Sequence, residues 1–287
     1  MSWSVCIDAG GSGSRAALFR RSDRKIGATT QGMPISLRLG ASVAFNRMMD
    51  LLSAISDSSS ISVDEISSVC IGLAGTECVS AARTFRELCP QSKKWLIVSD
   101  GIGHLIGALC DAPGACIAVG TGVILEGIDN DGRFFRRGGW GFPFGDRGGG
   151  AWMGMELIWS LMSQMDEGDL ESIELPIQSG ISLNRSELIE WTASAGASDF
   201  SGLARTVFKM AAAGDECARR IVLRAVAEID SLAKTVPSRL PICLAGGVGR
   251  RLMDYSNNKY LRPKHSAIWG LRRIQLGMVD YRDWEIG

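Results

Sequence analysis

One segment of the chain combines an unusually free backbone with groups that suit a small polar ligand. Residues 138–150 read GGWGFPFGDRGGG and contain seven glycines, each of which costs about 0.5–1 kcal/mol relative to alanine inside a helix or strand. The same segment carries Trp140, two phenylalanines and a single carboxylate, Asp146. Aromatic faces beside one fixed acceptor suit the ring face and the hydroxyls of a sugar. The alternative is a flexible linker, although linkers are usually rich in serine and lack large aromatics.

A second glycine-rich segment follows the first predicted strand. Residues 8–14 read DAGGSGS and lie between two predicted strands, a context that fits neither the P-loop nor the dinucleotide-binding turn. A hairpin tip of this composition can still present backbone N–H groups and hydroxyls to phosphate oxygens. Asp8, at the end of its strand, is placed to hold a hydrated Mg²⁺ ion.

The hairpin pattern recurs about 110 residues later. Residues 115–122 read ACIAVGTG, an apolar strand with a turn of glycine and threonine, and a further strand is predicted at 123–128. Two such hairpins indicate a duplicated lobe, with chance similarity between two buried strands as the alternative. Two facing tips would favour a phosphate clamp more strongly than either tip does alone.

A third candidate is Asp100, which ends an apolar strand predicted at 95–99 and precedes a helix predicted at 102–110. A carboxylate at this end of a strand projects into the crevice where α/β proteins bind ligands. There it could act as a general base toward an attacking hydroxyl. The spacing fits a helix N-cap equally well.

Strands and helices alternate along the chain in the manner of a mixed-sheet α/β protein. The pattern of apolar residues predicts further strands at 4–8, 15–20, 25–31, 67–73 and 241–245, and helices at 41–55, 81–89, 151–165, 185–192, 200–213, 215–236 and 266–277.

The composition of the chain bears on its size, its partners and its location. The chain has 287 residues and 46% hydrophobic content, enough for two compact lobes. Lys+Arg and Asp+Glu both number 31, so net charge favours neither a nucleic-acid nor a membrane partner. No apolar run could span a bilayer and no secretion signal is visible. We therefore expect a cytoplasmic protein, with its eight cysteines mostly buried and reduced because none forms a C-x-x-C pair.

In their order along the chain, the two hairpins, Asp100, the loop at 138–150 and the LAGGV segment at 244–248 resemble the N-acetylglucosamine and glucosamine kinases. These enzymes belong to the BadF/BadG/BcrA/BcrD ATPase branch of the actin/hexokinase/heat-shock-70 superfamily. The resemblance implies an α/β fold of two ribonuclease-H-like, actin-like ATPase lobes, each with a central mixed sheet, and a cleft between them. It places the N-terminal lobe at 1–107 and the C-terminal lobe at 108–270, with a C-terminal helix at about 271–287 packing back on the first lobe.

The resemblance also implies a reaction, which is ATP- and Mg²⁺-dependent phosphorylation of glucosamine or N-acetylglucosamine at the 6-hydroxyl. A small-molecule amino sugar is then the partner, and a homodimer is one option for the assembly. Asp100 matches the catalytic base of the family, and Asp8 is the expected metal ligand. The residues implied for the nucleotide are Gly10, Gly11, Ser12, Gly13, Ser14, Gly120, Thr121, Gly122, Gly246 and Gly247. Those implied for the sugar are Ser36, Gly139, Trp140 and Asp146.

Three departures from the family pattern leave the choice of sugar open. The first hairpin lacks the lysine of the usual Gly-Thr-Lys-Thr, Arg147 stands where Glu or Gln is usual, and Ser36 is the nearest substitute for a sugar-contacting asparagine. Two other functions stay as alternatives. One is an ATPase activator of a CoA-dependent reductase, which would need a cysteine-ligated cluster at a subunit interface. The other is a catalytically silent regulator that binds sugar or nucleotide.

Overall fold

The computed structural model describes residues 2–20, 25–110, 112–168, 184–237 and 239–279. Two mixed sheets organise these residues, with strand orders β3-β2-β1-β4-β5 and β8-β7-β6-β9. The strands of the first sheet are β1 (Trp3–Gly10), β2 (Gly13–Arg20), β3 (Ala28–Gly32), β4 (Ile66–Leu73) and β5 (Lys94–Ser99). Those of the second are β6 (Gly114–Val119), β7 (Val123–Ile128), β8 (Phe134–Gly138) and β9 (Ile242–Ala245).

The two sheets repeat one arrangement. In each, three antiparallel strands form a meander and a later strand adds in parallel beside the first. The register places Cys6 opposite Cys70 in one sheet and Cys116 opposite Cys243 in the other. These central strands read as nearly continuous apolar runs because both of their faces are covered. The arrangement agrees with the duplicated lobe predicted from the two hairpins.

Helices cover both sheets. They are α1 (Ala41–Ser58), α2 (Val79–Leu88), α3 (Asp100–Leu109), α4 (Gly150–Glu167), α5 (Arg185–Ser194), α6 (Ala197–Ala212), α7 (Glu216–Ala233), α8 (Gly247–Leu252) and α9 (Ala267–Gln275). A short 3-10 helix, Leu37–Leu39, follows β3, and another, Val63–Glu65, precedes β4. Within the described residues, no helix is both long and apolar enough to cross a membrane.

Three apolar clusters hold these layers together. One lies between α1 and the first sheet, and another between the second sheet and α4, α6 and α7. The third surrounds α3 and takes residues from both sheets, including Cys70 and Cys116. Because α3 packs against β4 and β6 alike, the residues at its start are held at the junction of the two sheets.

The last described helix, α9, packs against the first sheet although it follows the second in sequence. The buried Arg272 donates to Ser4 Oγ at 2.8 Å, and Gln275 Nε2 donates to the Val5 carbonyl at 3.1 Å. Residues 280–287 of the helix predicted at about 271–287 lie outside the described residues. The division into lobes at 107/108 stays a prediction.

The element boundaries predicted from sequence differ from the structure in two places near the cleft. Strand β8 was not predicted, because its sequence FFRRG lacks a regular alternation and the strand forms by pairing with β7. Helix α3 begins at Asp100, two residues earlier than predicted, with Ser99 as its N-cap. Asp100 is therefore the first helical residue, and the N-cap alternative for it is wrong.

Candidate active site

The turns of the two predicted phosphate hairpins face each other. One joins β1 to β2 and the other joins β6 to β7. A Cβ placed on Gly11 would lie 3.5 Å from both Cβ and Oγ1 of Thr121. The Thr121 Oγ1 atom is buried and has no hydrogen-bond partner among the described residues. A buried polar atom without a partner is costly. This hydroxyl is therefore suited to donate a hydrogen bond to an oxygen of a bound phosphate.

The first tip offers fewer side-chain groups than predicted. Ser12 is exposed at the turn, where its hydroxyl is accessible. Ser14 is buried, and its Oγ donates to the Met33 carbonyl at 2.7 Å. Its hydroxyl therefore ties β2 to the residue after β3, and the phosphate contacts expected of this tip fall to Ser12 and the backbone of Gly10, Gly11 and Gly13.

The second tip is anchored to the start of helix α4. The Gly150 and Ala151 N–H groups donate to the carbonyls of Gly120 and Thr121 at 2.8 and 2.9 Å. Within the turn, the Gly120 N–H donates to the Gly122 carbonyl at 3.0 Å. These bonds fix the turn, so that Thr121 is presented in one orientation.

The predicted adenosine segment lies beside this second tip. Gly246 has φ +85°, and the Val119 carbonyl fills the space that a Cβ would need there. Gly247 then begins α8 with open space around it. The nucleotide residues predicted from three separate segments therefore meet in one region.

Two predicted acids, Asp8 and Asp100, both lie beside Gly72 of β4. Asp8 pairs with Gly72 of β4, and a Cβ on Gly72 would lie 3.4 Å from Asp100 Cα. Side chains of directly paired residues project from the same face of a sheet, so the Asp8 carboxylate projects toward the face where Asp100 begins α3. A single carboxylate suits Mg²⁺, which usually keeps several waters and takes further oxygens from a substrate phosphate.

The Asp100 carboxyl titrates near neutral pH. Burial is the main cause, and the negative charges of Glu126, Glu77 and Asp8 add to it, which together raise the pKa of Asp100 to about 7. The Gly101 N–H, which donates to Asp100 Oδ1 at 3.0 Å, opposes this shift. A general base is most effective when its pKa lies near the working pH, so the environment of Asp100 suits the predicted role.

A buried ion-pair network beside Asp100 was missed by the sequence analysis. Glu126 on β7 is 1% exposed, and its Oε1 accepts from Ser99 Oγ at 2.7 Å and from Arg136 Nε at 2.9 Å. Arg136 on β8 also donates to Glu77 Oε1 at 3.3 Å. The network therefore links the first sheet to the second.

The sequence alone could have pointed to Glu126 as a buried charge, whereas it does not indicate which residues pair with it. It is the one charged residue in the otherwise apolar strand VILEGI, and a buried charge is rarely found without a partner. Its Oε2 lies against Gly101, where a Cβ would be 2.5 Å away, and lacks a hydrogen-bond partner among the described residues. Burial raises the pKa of Glu126, although Arg136 and Ser99 oppose the shift.

The carboxylate of the glycine-aromatic loop joins that loop to the second hairpin. Asp146 has φ +58°, and its Oδ1 accepts from the Gly141 N–H at 3.1 Å. Its Oδ2 fills the space beside Gly122 where a Cβ would stand. Burial raises the pKa of Asp146, while the Gly141 N–H and the nearby Arg38 charge oppose the shift. Asp146 thus supports the loop, and its contact with a sugar stays a prediction.

Only part of the aromatic surface of this loop is open to a ligand. Trp140 is 86% exposed and Phe144 is 96% exposed. Phe142 packs against Phe200, with ring centroids 5.3 Å apart, so its ring is engaged in packing. The Gly139 N–H donates to the Val123 carbonyl at 2.9 Å, which ties the start of the loop to β7.

The predicted sugar residue of the first lobe is occupied by local contacts. Ser36 is 5% exposed, donates to the Ala74 carbonyl at 3.3 Å and accepts from the Arg38 N–H at the same distance. Its contact with a sugar stays a prediction. Arg38, which sequence reasoning missed, lies against the backbone of Gly141 and so spans the cleft. Arg147 instead donates to Glu228 on α7 through Nε at 2.8 Å, and anchors the far end of the loop.

Comparisons with known proteins agree with this arrangement. The family model described as BadF/BadG/BcrA/BcrD ATPase family matches residues 5–265. The chain is 26% identical to glucosamine kinase GspK of Vibrio cholerae over 94% of each chain. It is 29% identical to an N-acetylmuramic acid/N-acetylglucosamine kinase of Clostridium acetobutylicum over 65% of this chain and 66% of that one.

The fold has a close counterpart among solved structures. A protein of Chromobacterium violaceum, provisionally assigned as an N-acetylglucosamine kinase, superposes with a TM-score of 0.85 over 96% of this chain and 99% of its own, at 24% identity. The two-lobed α/β fold and the family resemblance drawn from the motifs are both confirmed.

Proposed function

This chain belongs to the BadF/BadG/BcrA/BcrD ATPase family, and we propose that it transfers the γ-phosphoryl group of ATP to the 6-hydroxyl of an amino sugar. The observation that carries this proposal is that the two hairpin turns approach each other at Gly11 and Thr121, while Asp8 and Asp100 both lie beside Gly72 of β4. Glucosamine kinase GspK of Vibrio cholerae, to which the chain is similar along 94% of its length, supports the class of substrate.

The nucleotide would lie along the second hairpin. The backbone of both turns and the unpartnered Thr121 Oγ1 would hold its phosphates, and the open surface at Gly247 would receive the adenosine. Asp8 would hold Mg²⁺, which when bound neutralises charge on the β- and γ-phosphate oxygens. The groups present fit both ligands, because backbone N–H groups and hydroxyls suit phosphates and carboxylates suit Mg²⁺.

Asp100 would act as the general base. Its carboxylate accepts the proton of the sugar 6-hydroxyl while the hydroxyl oxygen forms a bond to the γ-phosphorus, and the bond from that phosphorus to the β–γ bridging oxygen breaks to release ADP. A pKa of about 7 leaves Asp100 largely ionised just above neutral pH and able to release the proton afterwards. Most of the rate enhancement in such reactions comes from positioning and charge stabilisation.

The sugar would lie between Asp100 and the glycine-aromatic loop. Trp140 offers an exposed ring for the apolar face of the sugar, and Asp146 offers acceptors for its hydroxyls. Arg38 lies against Gly141 of the same loop from the opposite lobe, so the loop is contacted from both sides of the cleft. Closure of the lobes around the sugar would exclude water, which otherwise competes as the acceptor.

The reductase-activator alternative gains no support from the arrangement of cysteines. Of the eight, Cys6, Cys70, Cys89, Cys116 and Cys243 are buried.

A coupled ADP-release assay with Mg²⁺ and a panel of hexoses and amino sugars tests the proposal. We expect sugar-dependent ADP release with glucosamine or N-acetylglucosamine. Release that is independent of any sugar would contradict the kinase assignment, and binding of sugar and nucleotide without turnover would favour the regulator.

A further inference from the structure

We propose that Glu77 contacts the sugar and that its negative charge selects a free, protonated 2-amino group over an N-acetylated one. The inference rests on the proposed function and narrows its substrate class. Glu77 lies between β4 and α2, on the side of the cleft formed by the first sheet, and the sequence analysis did not single it out.

The carboxylate of Glu77 is held at the edge of the cleft. Its Oε1 accepts from Arg136 NH1 at 3.3 Å across the cleft, and its side chain is 33% exposed. Arg136 is in turn fixed by two contacts with the buried Glu126. A carboxylate anchored through one oxygen and partly open to solvent can accept a hydrogen bond from a ligand through the other.

Glu77 lies two residues after Gly75, where a Cβ would be 3.3 Å from the Arg38 backbone N, and the Arg38 guanidinium lies against Gly141 of the glycine-aromatic loop. Glu77 therefore borders the space between the two predicted ends of the sugar site. Its charge acts on Asp100, the proposed base for the 6-hydroxyl, and also on Asp146 of the glycine-aromatic loop, raising the pKa of each. It acts in the same direction on Glu126. A sugar that reached from Asp100 to Asp146 would pass within the range of this charge.

The electrostatics of this space favour a cationic ligand. The carboxylates of this space are those of Asp8, Glu77, Asp100, Glu126 and Asp146, and the guanidinium groups beside them are Arg136, paired with Glu77 and Glu126, and Arg38 at Gly141, so among the described residues the acids outnumber the cations. A protonated 2-amino group would bring a positive charge and hydrogen-bond donors to Glu77, and charge-assisted bonds of this kind are roughly twice as strong as neutral ones. Acetylation removes that charge, so N-acetylglucosamine could not make the charge-assisted bond to the second Glu77 oxygen, while Arg136 stays paired with Oε1.

The test compares kcat/KM for glucosamine, N-acetylglucosamine and glucose in the wild-type enzyme and in Glu77→Gln. Glutamine keeps the size of the side chain and an oxygen for Arg136 but removes the charge. We expect the wild type to prefer glucosamine, and Glu77→Gln to lower kcat/KM for glucosamine by about tenfold or more, the range for a hydrogen bond to a charged group. The value for glucose should change little. Glu87→Gln, at an exposed position of α2, is the matched control.

A second readout needs only the wild-type enzyme. Raising the pH until the amine loses its proton should increase KM for glucosamine but not for glucose. An equal loss for both sugars in Glu77→Gln, or a wild type that prefers N-acetylglucosamine, would overturn the assignment of Glu77 while leaving the kinase proposal intact. A wild type that phosphorylates no sugar would overturn the proposed function and this inference with it.

Discussion

Replacing Asp100 with asparagine should lower activity and raise stability in the same variant. The pKa of Asp100 is about 7 in the folded protein against an ordinary value of 3.8, a difference of roughly three units. Each unit corresponds to 1.36 kcal/mol, so the ionised carboxylate should destabilise the folded protein by at most about 4 kcal/mol. Asparagine has a similar shape and carries no charge, so it removes this cost.

The sign of the effect fixes its pH dependence. Because the folded-state pKa is raised, protonation of Asp100 favours the native protein. The stability that it contributes is fully present below about pH 4 and is lost as the pH rises through about 7. The free energy of unfolding of Asp100→Asn should therefore exceed that of the wild type at pH 8, and the difference should shrink as the pH is lowered toward 4.

Activity should change in the opposite direction. A general base contributes about 10²–10⁴-fold, so kcat at pH 8 should fall by that factor while the affinity for ATP, measured by calorimetry, stays unchanged. Denaturant unfolding at several pH values gives the stability, and Asp50→Asn, on the exposed face of α1, is the control. A variant with wild-type kcat, or one less stable than the wild type at pH 8, would refute this account of Asp100.

Three other substitutions test the remaining parts of the cleft. Asp8→Ala should lower Mg²⁺-dependent turnover strongly without loss of the folded circular dichroism spectrum, and an unchanged dependence on Mg²⁺ concentration would exclude the metal role. Thr121→Val should raise KM for ATP by up to about tenfold, the range for one hydrogen bond, while the free energy of unfolding does not fall because Oγ1 has no described protein partner; a less stable variant would point to a structural role. Asp146→Ala should raise KM for the amino sugar by about tenfold or more, with ATP affinity little changed in calorimetric titration, and parallel loss of both ligands would show that Asp146 only supports the loop.

The parts of the fold that could be predicted from sequence are those fixed by local patterns. The strand VILEGI was predicted with the bounds that the structure gives it, because an apolar run between two turns has few other conformations. Both glycine turns were also predicted, because a high density of glycine within a few residues indicates a turn. Strand β8 was missed because its pairing with β7, rather than its own sequence, makes it a strand.

The contacts that could not be predicted join distant parts of the chain. Arg136 links Glu126, ten residues away, to Glu77, which is 59 residues away, and no local pattern specifies such a pair. Some groups whose chemistry suits a ligand are instead engaged in contacts within the protein. The hydroxyl of Ser14 and the ring of Phe142 have the right composition for a ligand, yet each is bound to a neighbour within its own lobe.

The most direct test of the central claim is to identify the product by NMR. Wild-type enzyme is incubated with Mg²⁺-ATP and glucosamine, and ³¹P–¹H correlation spectra locate the new phosphate ester on the sugar. The proposed placement of the hydroxyl beside Asp100 predicts coupling of the phosphorus to the two protons on C6, together with one ADP for each ester formed. A phosphate on another carbon, or the appearance of inorganic phosphate alone, would contradict the account.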